Sequence, residues 1–179
     1  PRSTPKPSSA ASDVYKRQVK VPRTNILGEE GGGFKQLMQE LPQERLVIAI
    51  GAVASCEAAL EWTIEYTRQR KAFGKSVAEF QNTRFKLAEI KTDITAARAF
   101  LDRCLELHTK GELDATTGAM IKLWTTEIQS RVLDDCVQLH GGYGYMWEYP
   151  IARAWADARI QRIYGGTSEI MKELISRDL

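Results

Sequence analysis

The chain has 179 residues, a net charge of +2 and 43% hydrophobic residues. This length and composition predict one domain of ordinary size with a real core, and a charge so close to neutral does not support nucleic-acid binding. The longest apolar run, residues 46–54, is far shorter than the roughly 20 residues that a membrane span requires.

The cysteine and histidine content argues against a metal centre. The three cysteines, Cys56, Cys104 and Cys136, lie far apart within helical patterns. That spacing predicts neither a disulfide framework nor a zinc site, and the odd count fits a reducing compartment. Because the chain contains only two histidines, we also expect no histidine-based metal site.

Residues 1–18 are rich in proline and serine, which predicts an unstructured segment. A natural linker or tail is one interpretation. We favour another, because the letters DVYKRQ are the translation of GATGTGTATAAGAGACAG, which resembles the end of a transposon adaptor used in sequencing libraries. We therefore expect that the natural upstream sequence has been replaced and that the chain is a fragment.

Residues 19–33 have the pattern of a short strand that leads into a glycine-rich loop. Helical patterns follow, first over 34–41 and then over 43–70. Because proline interrupts helical hydrogen bonding, we expect the first helix to end or kink near Pro42. The second helix is apolar on almost every side between residues 46 and 54, which indicates deep burial.

Two further long helices and a short one are predicted after residue 70. Residues 77–109 carry apolar side chains at alternating three- and four-residue steps, and Gly111 is the expected stop. Residues 115–139 form the next helix, and Pro150 begins a short one. With their compact connections, these elements predict an all-α, up-and-down four-helix-type bundle.

The closing sequence IYGGTSEI, residues 163–170, has two interpretations. A threonine before an amphipathic helix is typical of an N-cap, whose oxygen accepts a hydrogen bond from an otherwise unpaired amide. The same amides, hydroxyl groups and helix dipole also suit a phosphate, and the glycines would allow its close approach. The motif alone leaves both interpretations open.

Two other motifs are equally ambiguous. HGGYGYMWEYP, residues 140–150, does not follow a strand and is not a Rossmann motif, so its glycines serve either a helix-to-helix turn or a ligand contact. RQRKAFGK, residues 68–75, places four basic residues at a helix end, where the helix dipole favours cations. These cations are either solvated or contact a cofactor that carries phosphate.

Glu44, in the motif ELPQERLVIA, lies one helical turn before Val47 and Ile48, so its carboxylate shares a face with apolar side chains. Loss of solvation there would make this carboxylate a competent general base. The alternative is an ordinary first-turn glutamate that the helix dipole favours.

Several stretches together resemble the C-terminal domain of the acyl-CoA dehydrogenases: NILGEEGGGF, RKAFGK, KLAEI, VQLHGGYGYMWEYPIARAWADARI and IYGGTSEIMKELISR. They occur in order from about Val19 to the C-terminus. LPQERL and IYGGTSEIMKEL are most similar to the long-chain branch and its bacterial relatives. The resemblance implies a helical bundle domain over residues 34–179, and it assigns residues 19–33 to the end of a truncated β-domain and its linker.

The resemblance also implies an FAD-dependent oxidoreductase of fatty acid β-oxidation. In the family, a carboxylate removes the α-proton of an acyl-CoA, and a hydride passes from the β-carbon to flavin N5, which gives the trans-2-enoyl-CoA. An electron-transferring flavoprotein usually accepts the electrons. The family further implies a homotetramer or homodimer, located in the cytoplasm of a bacterium, which we favour, or in the mitochondrial matrix of a eukaryote.

The family motifs carry over onto particular residues of this chain. Arg45 and Gly166 match positions beside the acyl-CoA. The segment from Gln138 to Gly142 matches one that reaches a cofactor held mainly by another subunit. The resemblance implies FAD contacts at Arg70, Phe73, Phe80, Gln81, Gln138, Gly141, Gly142, Thr167 and Glu169.

Gly165 departs from the family pattern. Many members carry the catalytic glutamate at this position, in a YEGT motif, and glycine has no side chain that could take a proton. In the long-chain and isovaleryl branches the base comes instead from an upstream helix, from the residue just before the matching arginine. The resemblance therefore implies that Glu44, beside Arg45, is the catalytic base.

The family's N-terminal helical domain and most of its middle β-domain would precede Val19. We therefore expect the isolated chain to be incomplete as an enzyme. Two other functions stay open, a non-catalytic helical oligomerisation module and a family member that acts on another acyl thioester or on a substrate without CoA.

Overall fold

A computed structural model describes residues 19–179, and the predicted unstructured, adaptor-like segment 1–18 lies outside the described residues. The described chain forms five α-helices and one small hairpin, so the all-α prediction is confirmed. The elements are α1 Gly33–Gln69, β1 Lys71–Ala72, β2 Lys75–Ser76, α2 Gln81–Thr109, α3 Ala115–His140, α4 Pro150–Ala158 and α5 Ser168–Ser176.

The described residues divide into two compact units, with the boundary between Met38 and Gln39. In the described part of the first unit, the only regular element before α1 is a 3₁₀ turn at Arg23–Asn25. The short strand predicted at the start of residues 19–33 is therefore wrong. A strand needs a neighbour to pair its backbone groups, and the described part of this unit contains no second strand.

A stop at Pro42, one of the two predicted outcomes, is wrong, because α1 continues through this residue, and a kink there stays a prediction. Proline removes one helical hydrogen bond and crowds the preceding turn. Its ring nevertheless fixes φ near the helical value, so it does not force the helix to end. Packing compensates at this point, since a Cβ on Gly118 of α3 would lie only 3.3 Å from the Pro42 Cα. Gly118 therefore allows α3 to approach α1 closely at the proline.

The core of the second unit lies between α1, α2 and α3, and α3 also packs against α4 and α5. Residues at the predicted apolar positions of all three long helices are almost fully buried, among them Leu46, Val53, Ile90, Leu101, Ile128 and Val132. There are two exceptions. Met120 and Trp124, at the N-terminal end of the α3 stripe, are exposed. Val47 and Ile50 are exposed as well, so the deep burial predicted on almost every side of residues 46–54 is wrong for one face of α1. Helix α3 is thus the central helix of the bundle.

By length and composition alone, α1 contains one window that could cross a membrane. A long helix in the core of a globular protein passes the same test, because such a helix is also rich in apolar residues. Leu46, Val53 and Leu60 of α1 belong to the buried core of the bundle. We therefore interpret α1 as a core helix.

Local chemistry sets the predicted helix ends. Helix α2 stops at Thr109, and Gly111 follows with a φ of +72°, as the predicted stop requires. The Asp114 side chain accepts a hydrogen bond of 2.7 Å from the Thr117 N–H and caps α3. Pro150 occupies the first position of α4, which confirms the prediction for that helix.

The three cysteines are buried free thiols, and this generates a first prediction. Burial raises the pKa of Cys56 to about 12 and that of Cys136 to about 11. Because the thiolate is the reactive form, we expect the folded chain to resist alkylation by iodoacetamide at mildly alkaline pH. The urea-unfolded chain should be labelled fast, as mass spectrometry of timed samples would show. Equal labelling rates in the two states would contradict this prediction.

Candidate functional site

An open groove lies between α1 and the turn that precedes α5, and it is named the Glu44 groove. Its volume is about 580 Å³, and it is lined by Glu40, Gln43, Glu44, Val47, Ile48, Tyr164 and Gly165. Residues three and four apart on a helix share a face, so Glu40, Glu44 and Val47 project from α1 on the same side. The structure therefore brings the predicted base, Glu44, close to Gly165, the position at which many family members carry their catalytic glutamate.

Glu44 is exposed to solvent in this groove, and its apolar neighbour Val47 is 59% exposed. The loss of solvation that the sequence predicts for the Glu44 carboxylate is therefore not provided by residues 19–179. The physical reason is that the apolar face of α1 lies open at this point. Only a ligand or a further protein segment that covers the groove would desolvate the carboxylate.

Gly165 lies close to Ile48 and has a backbone conformation that favours glycine. Its φ is +64°, in the left-handed region, and a Cβ at this position would lie 2.5 Å from the Ile48 Cδ1. A residue with a side chain would need both a strained backbone and a displaced Ile48. The carboxylate in this groove therefore comes from α1 and not from the turn.

Arg45 lies beneath the turn and is almost completely buried. Its Nε donates a hydrogen bond of 3.3 Å to the carbonyl oxygen of Gly165. Burial lowers the pKa of this guanidinium, and the neighbouring Glu44 carboxylate opposes that shift. The structure thus shows Arg45 in contact with the turn, and its contact with an acyl-CoA stays a prediction.

Lys122 is a residue of this region that sequence reasoning missed. It has no exposed surface, and its Nζ donates a hydrogen bond of 2.7 Å to the carbonyl oxygen of Gly166. Burial lowers the pKa of the ammonium, and the positive charge of Arg45 lowers it further. The available signal was a lysine on the face of α3 that also carries Gly118 and Gln129, at helical spacing.

A carboxylate on α3 holds the two sides of the turn. Glu127 Oε1 accepts hydrogen bonds from Arg162 Nε at 2.9 Å and from Ser168 Oγ at 2.7 Å. Arg162 precedes the turn and Ser168 begins α5, so both ends of the turn are attached to α3. The turn is therefore fixed from below by α1 and α3 together.

The predicted N-cap at Thr167 is confirmed. Its side-chain oxygen accepts a hydrogen bond of 3.3 Å from the Ile170 N–H. Glu169 is exposed in the first turn of α5, where a hydrogen bond to its own backbone N–H lowers the pKa of its carboxyl group. Gly166 has a φ of +103°, and its carbonyl points to Lys122. These residues lie beside the Glu44 groove, and their contacts with FAD or substrate stay predictions.

A second open cavity gathers other predicted cofactor residues, and it is named the Arg70 cavity. Its volume is about 590 Å³, and its lining includes Arg70, Gln138, Gly141 and Gly142. The Arg70 guanidinium lies 5.4 Å from the centre of the Tyr143 ring. Cβ atoms on Gly141 and Gly142 would meet nothing, so the backbone here is open to a ligand.

The hairpin beside this cavity presents Phe73 to solvent. Phe73 and Gly74 both have positive φ, 51° and 83°, which is typical of a tight type I′ hairpin turn. Phe73 is 96% exposed and contacts Phe80 edge to face, with ring centres 6.4 Å apart. Phe80 precedes α2, and Gln81 is its exposed first residue. The sequence predicts a helix that begins at residue 77, whereas the structure has a 3₁₀ turn at Val77–Glu79 and begins α2 at Gln81. The hairpin itself was not predicted from the sequence.

An aromatic stack forms the floor of the Arg70 cavity. The rings of Tyr66 and His140 stack with centres 4.3 Å apart, and the Tyr66 hydroxyl donates to the His140 carbonyl at 3.0 Å. The Nδ1 of His140 is hydrogen-bonded to the Cys136 carbonyl at 2.8 Å, and burial lowers the pKa of the ring. His140 is therefore a structural residue, and residues 19–179 contain no group of three side chains that could hold a metal ion.

The two sites lie far apart along α1. From Glu44 to Gln69 the helix advances 25 residues, which corresponds to roughly 38 Å at about 1.5 Å per residue. Arg70 follows immediately. The two sites are therefore widely separated within one chain.

Comparisons with known proteins agree with this architecture. Residues 31–179 match the family model for the acyl-CoA dehydrogenase C-terminal domain. The mitochondrial long-chain specific acyl-CoA dehydrogenase of Rattus norvegicus is 56% identical over 168 residues, which are 94% of this chain and 39% of that relative.

Two solved structures show the same fold. An acyl-CoA dehydrogenase from Geobacillus kaustophilus has a TM-score of 0.86 at 50% identity, over 89% of this chain and 42% of that one. Butyryl-CoA dehydrogenase from Megasphaera elsdenii has a TM-score of 0.85 at 41% identity, over 89% of this chain and 42% of that one. The chain thus spans well under half the length of these relatives.

The close approach at Gly165 generates a prediction about stability. Gly165→Ala should lower the free energy of unfolding by about 1–3 kcal/mol, because it adds backbone strain and the clash with Ile48. Adding Ile48→Val removes the Cδ1 and should restore part of this loss. Urea titration would measure both effects.

The matched control is Gly51→Ala in α1, where a Cβ would meet nothing. This substitution should raise the free energy of unfolding by about 0.5–1 kcal/mol, since alanine favours a helix. If Gly165→Ala behaved like Gly51→Ala, the steric argument would be refuted.

Proposed function

The chain belongs to the acyl-CoA dehydrogenase family, and we propose that it is the C-terminal helical part of an FAD-dependent enzyme that oxidises a fatty acyl-CoA to the trans-2-enoyl-CoA. The observation that carries this proposal is the Glu44 groove. It places a carboxylate opposite the position where glycine replaces the glutamate of many family members. Glu44 thus supplies the carboxylate that glycine at position 165 lacks.

In this reaction Glu44 removes the proton from the α-carbon of the thioester. The Cα–H bond breaks, the proton passes to the carboxylate, and the electron pair moves toward the thioester carbonyl. The exposed position of Glu44 suits this task only after the acyl chain covers Val47 and Ile48, because desolvation then makes the carboxylate more basic. Substrate binding would therefore activate the base.

The Arg70 cavity fits the phosphate and adenine part of FAD. Arg70 supplies a fixed cation, Gly141 and Gly142 supply backbone that a ligand can approach, and Phe73 supplies an exposed ring on which a base can stack. Phe80, Gln81 and Gln138 lie beside this set. When bound, FAD supplies the acceptor for the hydride from the β-carbon.

The separation of the two sites supports an oligomer. Thr167 and Glu169, the other predicted FAD contacts, lie near the Glu44 groove, roughly 38 Å along α1 from the Arg70 cavity. If both sets of residues contact FAD, they contact it from two copies of the chain. We therefore propose a homodimer or a homotetramer in which each cofactor is shared.

An exposed apolar surface fits such an assembly. Phe100, Met120, Leu123, Trp124 and Ile175 line a patch that is almost entirely apolar. A non-catalytic oligomerisation module would explain this patch, but it would not explain the pairing of Glu44 with Gly165. Size-exclusion chromatography with and without FAD separates the two functions, since a stable multimer that never binds flavin would favour the module.

The proposals for the substrate, the electron acceptor and the cellular location are based on similar proteins. Long-chain specific enzymes are among the most similar of them, so we propose a long-chain fatty acyl-CoA before another acyl thioester as the substrate. An electron-transferring flavoprotein would accept the electrons. The relatives include mitochondrial and bacterial enzymes, and we propose the bacterial cytoplasm, or the mitochondrial matrix if the source is eukaryotic.

The role of Glu44 is tested in the full-length enzyme. Glu44→Gln keeps the shape of the side chain and removes the base, so turnover of acyl-CoA should fall by orders of magnitude, about 10²–10⁴-fold, while the flavin absorbance is retained. Glu40→Gln is the matched control, because Glu40 lies one turn away in the same groove. Its turnover should stay near that of the unmodified enzyme. Near-normal turnover of Glu44→Gln would remove Glu44 from this role.

The chain by itself should show weak or no catalysis. It covers 39% of the length of its rat relative, and its groove leaves Glu44 exposed. We expect that FAD and an acyl-CoA added to the purified chain produce no robust bleaching of the flavin absorbance. Fast bleaching would show that these residues form a complete site.

A further inference from the structure

Arg70 follows the last residue of α1, and its backbone is anchored on both sides. Its N–H donates a hydrogen bond of 2.8 Å to the Tyr66 carbonyl oxygen, and its own carbonyl oxygen accepts one of 2.8 Å from the Val77 N–H. Among the described residues that line the Arg70 cavity there is no aspartate or glutamate. The cation therefore starts from a fixed backbone, and no acidic side chain of the cavity wall cancels its charge.

The Arg70 side chain has several rotatable bonds, so a fixed backbone does not by itself place the guanidinium. The ring of Tyr143 supplies the missing contact, because its centre lies 5.4 Å from the guanidinium carbon. That separation is within the distance of about 6 Å at which a cation is attracted to the face of an aromatic ring. A carboxylate would hold the guanidinium as well, but it would neutralise it. The uncharged ring leaves the whole positive charge available to an anion.

Tyr143 is itself held by other rings. It belongs to the 3₁₀ turn Gly141–Tyr145, and its ring centre lies 5.2 Å from that of Tyr149, just before α4. It also meets Tyr66 of α1 edge to face at 6.4 Å, and the Tyr66 ring stacks on His140. Aromatic pairs in such arrangements attract one another beyond the area that they bury. The position of the Tyr143 ring is therefore set by three parts of the fold.

We propose that Tyr143 is a positioning residue for the cofactor, and that its ring holds the Arg70 guanidinium in place for a phosphate group of FAD. The inference rests on the proposed function, which assigns Arg70, Gly141 and Gly142 to FAD and leaves Tyr143 unassigned. An arginine that is ordered before binding loses less conformational entropy when it pairs with phosphate oxygens. Tyr143 thus strengthens FAD binding by acting through Arg70.

Two other roles of Tyr143 make different predictions. A ring that only packs against Tyr66 and Tyr149 would affect folding, and its removal would matter equally with and without the Arg70 guanidinium. A ring that stacks directly on FAD would also contribute in the absence of that guanidinium. Only a ring that acts through Arg70 loses its effect on FAD binding once Arg70 is replaced, which a double-mutant cycle measures.

The test uses the full-length enzyme, either as the natural protein or as a chimaera in which residues 31–179 replace the matching domain of the rat relative. The apo-enzyme is titrated with FAD, and flavin fluorescence gives the Kd. The cycle consists of Tyr143→Leu, Arg70→Gln and the double variant, and Tyr143→Phe restores the ring without the hydroxyl. Tyr145→Leu is the matched control, because Tyr145 belongs to the same turn, is 81% exposed and lies outside the described lining of the cavity.

We expect Tyr143→Leu to raise the Kd for FAD about three- to tenfold, the size of one cation–π contact. Tyr143→Phe should recover most of this loss, and Tyr145→Leu should stay within about twofold of the unmodified enzyme. In the Arg70→Gln background, Tyr143→Leu should change the Kd by less than about twofold. If Tyr143→Leu does not fold, Tyr143→Met, which also lacks the ring, takes its place in the cycle.

Three results would overturn this inference. The first is a Tyr143→Leu enzyme that binds FAD as tightly as the unmodified one. The second is an equal loss of affinity in the presence and absence of the Arg70 guanidinium, which would give the ring a direct or a merely structural role. The third is a Tyr143→Phe enzyme as weak as Tyr143→Leu. An unmodified apo-enzyme that does not bind FAD would overturn the proposed function, and this inference with it.

Discussion

The backbone of Gly165 lies so close to Ile48 of α1 that a Cβ at this position would lie 2.5 Å from the Ile48 Cδ1, and the arrangement of the Glu44 groove is built around this contact. Because glycine at 165 has no carboxylate, a base in this groove has to come from the opposite wall. Glu44 is placed there by helical spacing, on the same face as Glu40 and Val47. The adjacent residue, Arg45, points the other way and bonds to the turn. One stretch of α1 thus supplies the carboxylate and also fixes the wall that it faces.

The length of α1 imposes a second constraint. The helix separates the Glu44 groove from the Arg70 cavity by roughly 38 Å, which is the basis for the proposal that each cofactor is shared between two copies of the chain. A site assembled from two chains gives a reason for the exposed Phe73 and for the open glycines at 141 and 142. These groups have no function in an isolated chain, since exposed aromatic rings and bare backbone contribute nothing to its own core.

Much of the fold was predictable because local chemistry decides it. The stop at Gly111, the start at Pro150 and the cap at Thr167 each depend on a few neighbouring residues. Helix α1 was misjudged at Pro42 because tertiary packing against Gly118 outweighs the local preference. Lys122 was missed for a related reason, since its partner, Gly166, is 44 residues away in sequence. No local pattern reports such a contact.

The chemistry of single residues was not enough to predict the candidate site. A glutamate one turn before apolar residues is common in helices, and the resemblance alone selected Glu44. The structure adds that Gly165 faces it, and it shows that burial of the carboxylate must come from outside these residues. It also shows two cations buried under a turn that a bundle could close with apolar side chains. Burying an ammonium beside a guanidinium lowers the pKa of Lys122 and costs stability. The hydrogen bonds that the two cations donate to the Gly165 and Gly166 carbonyls offset part of this cost and fix the turn that faces Glu44.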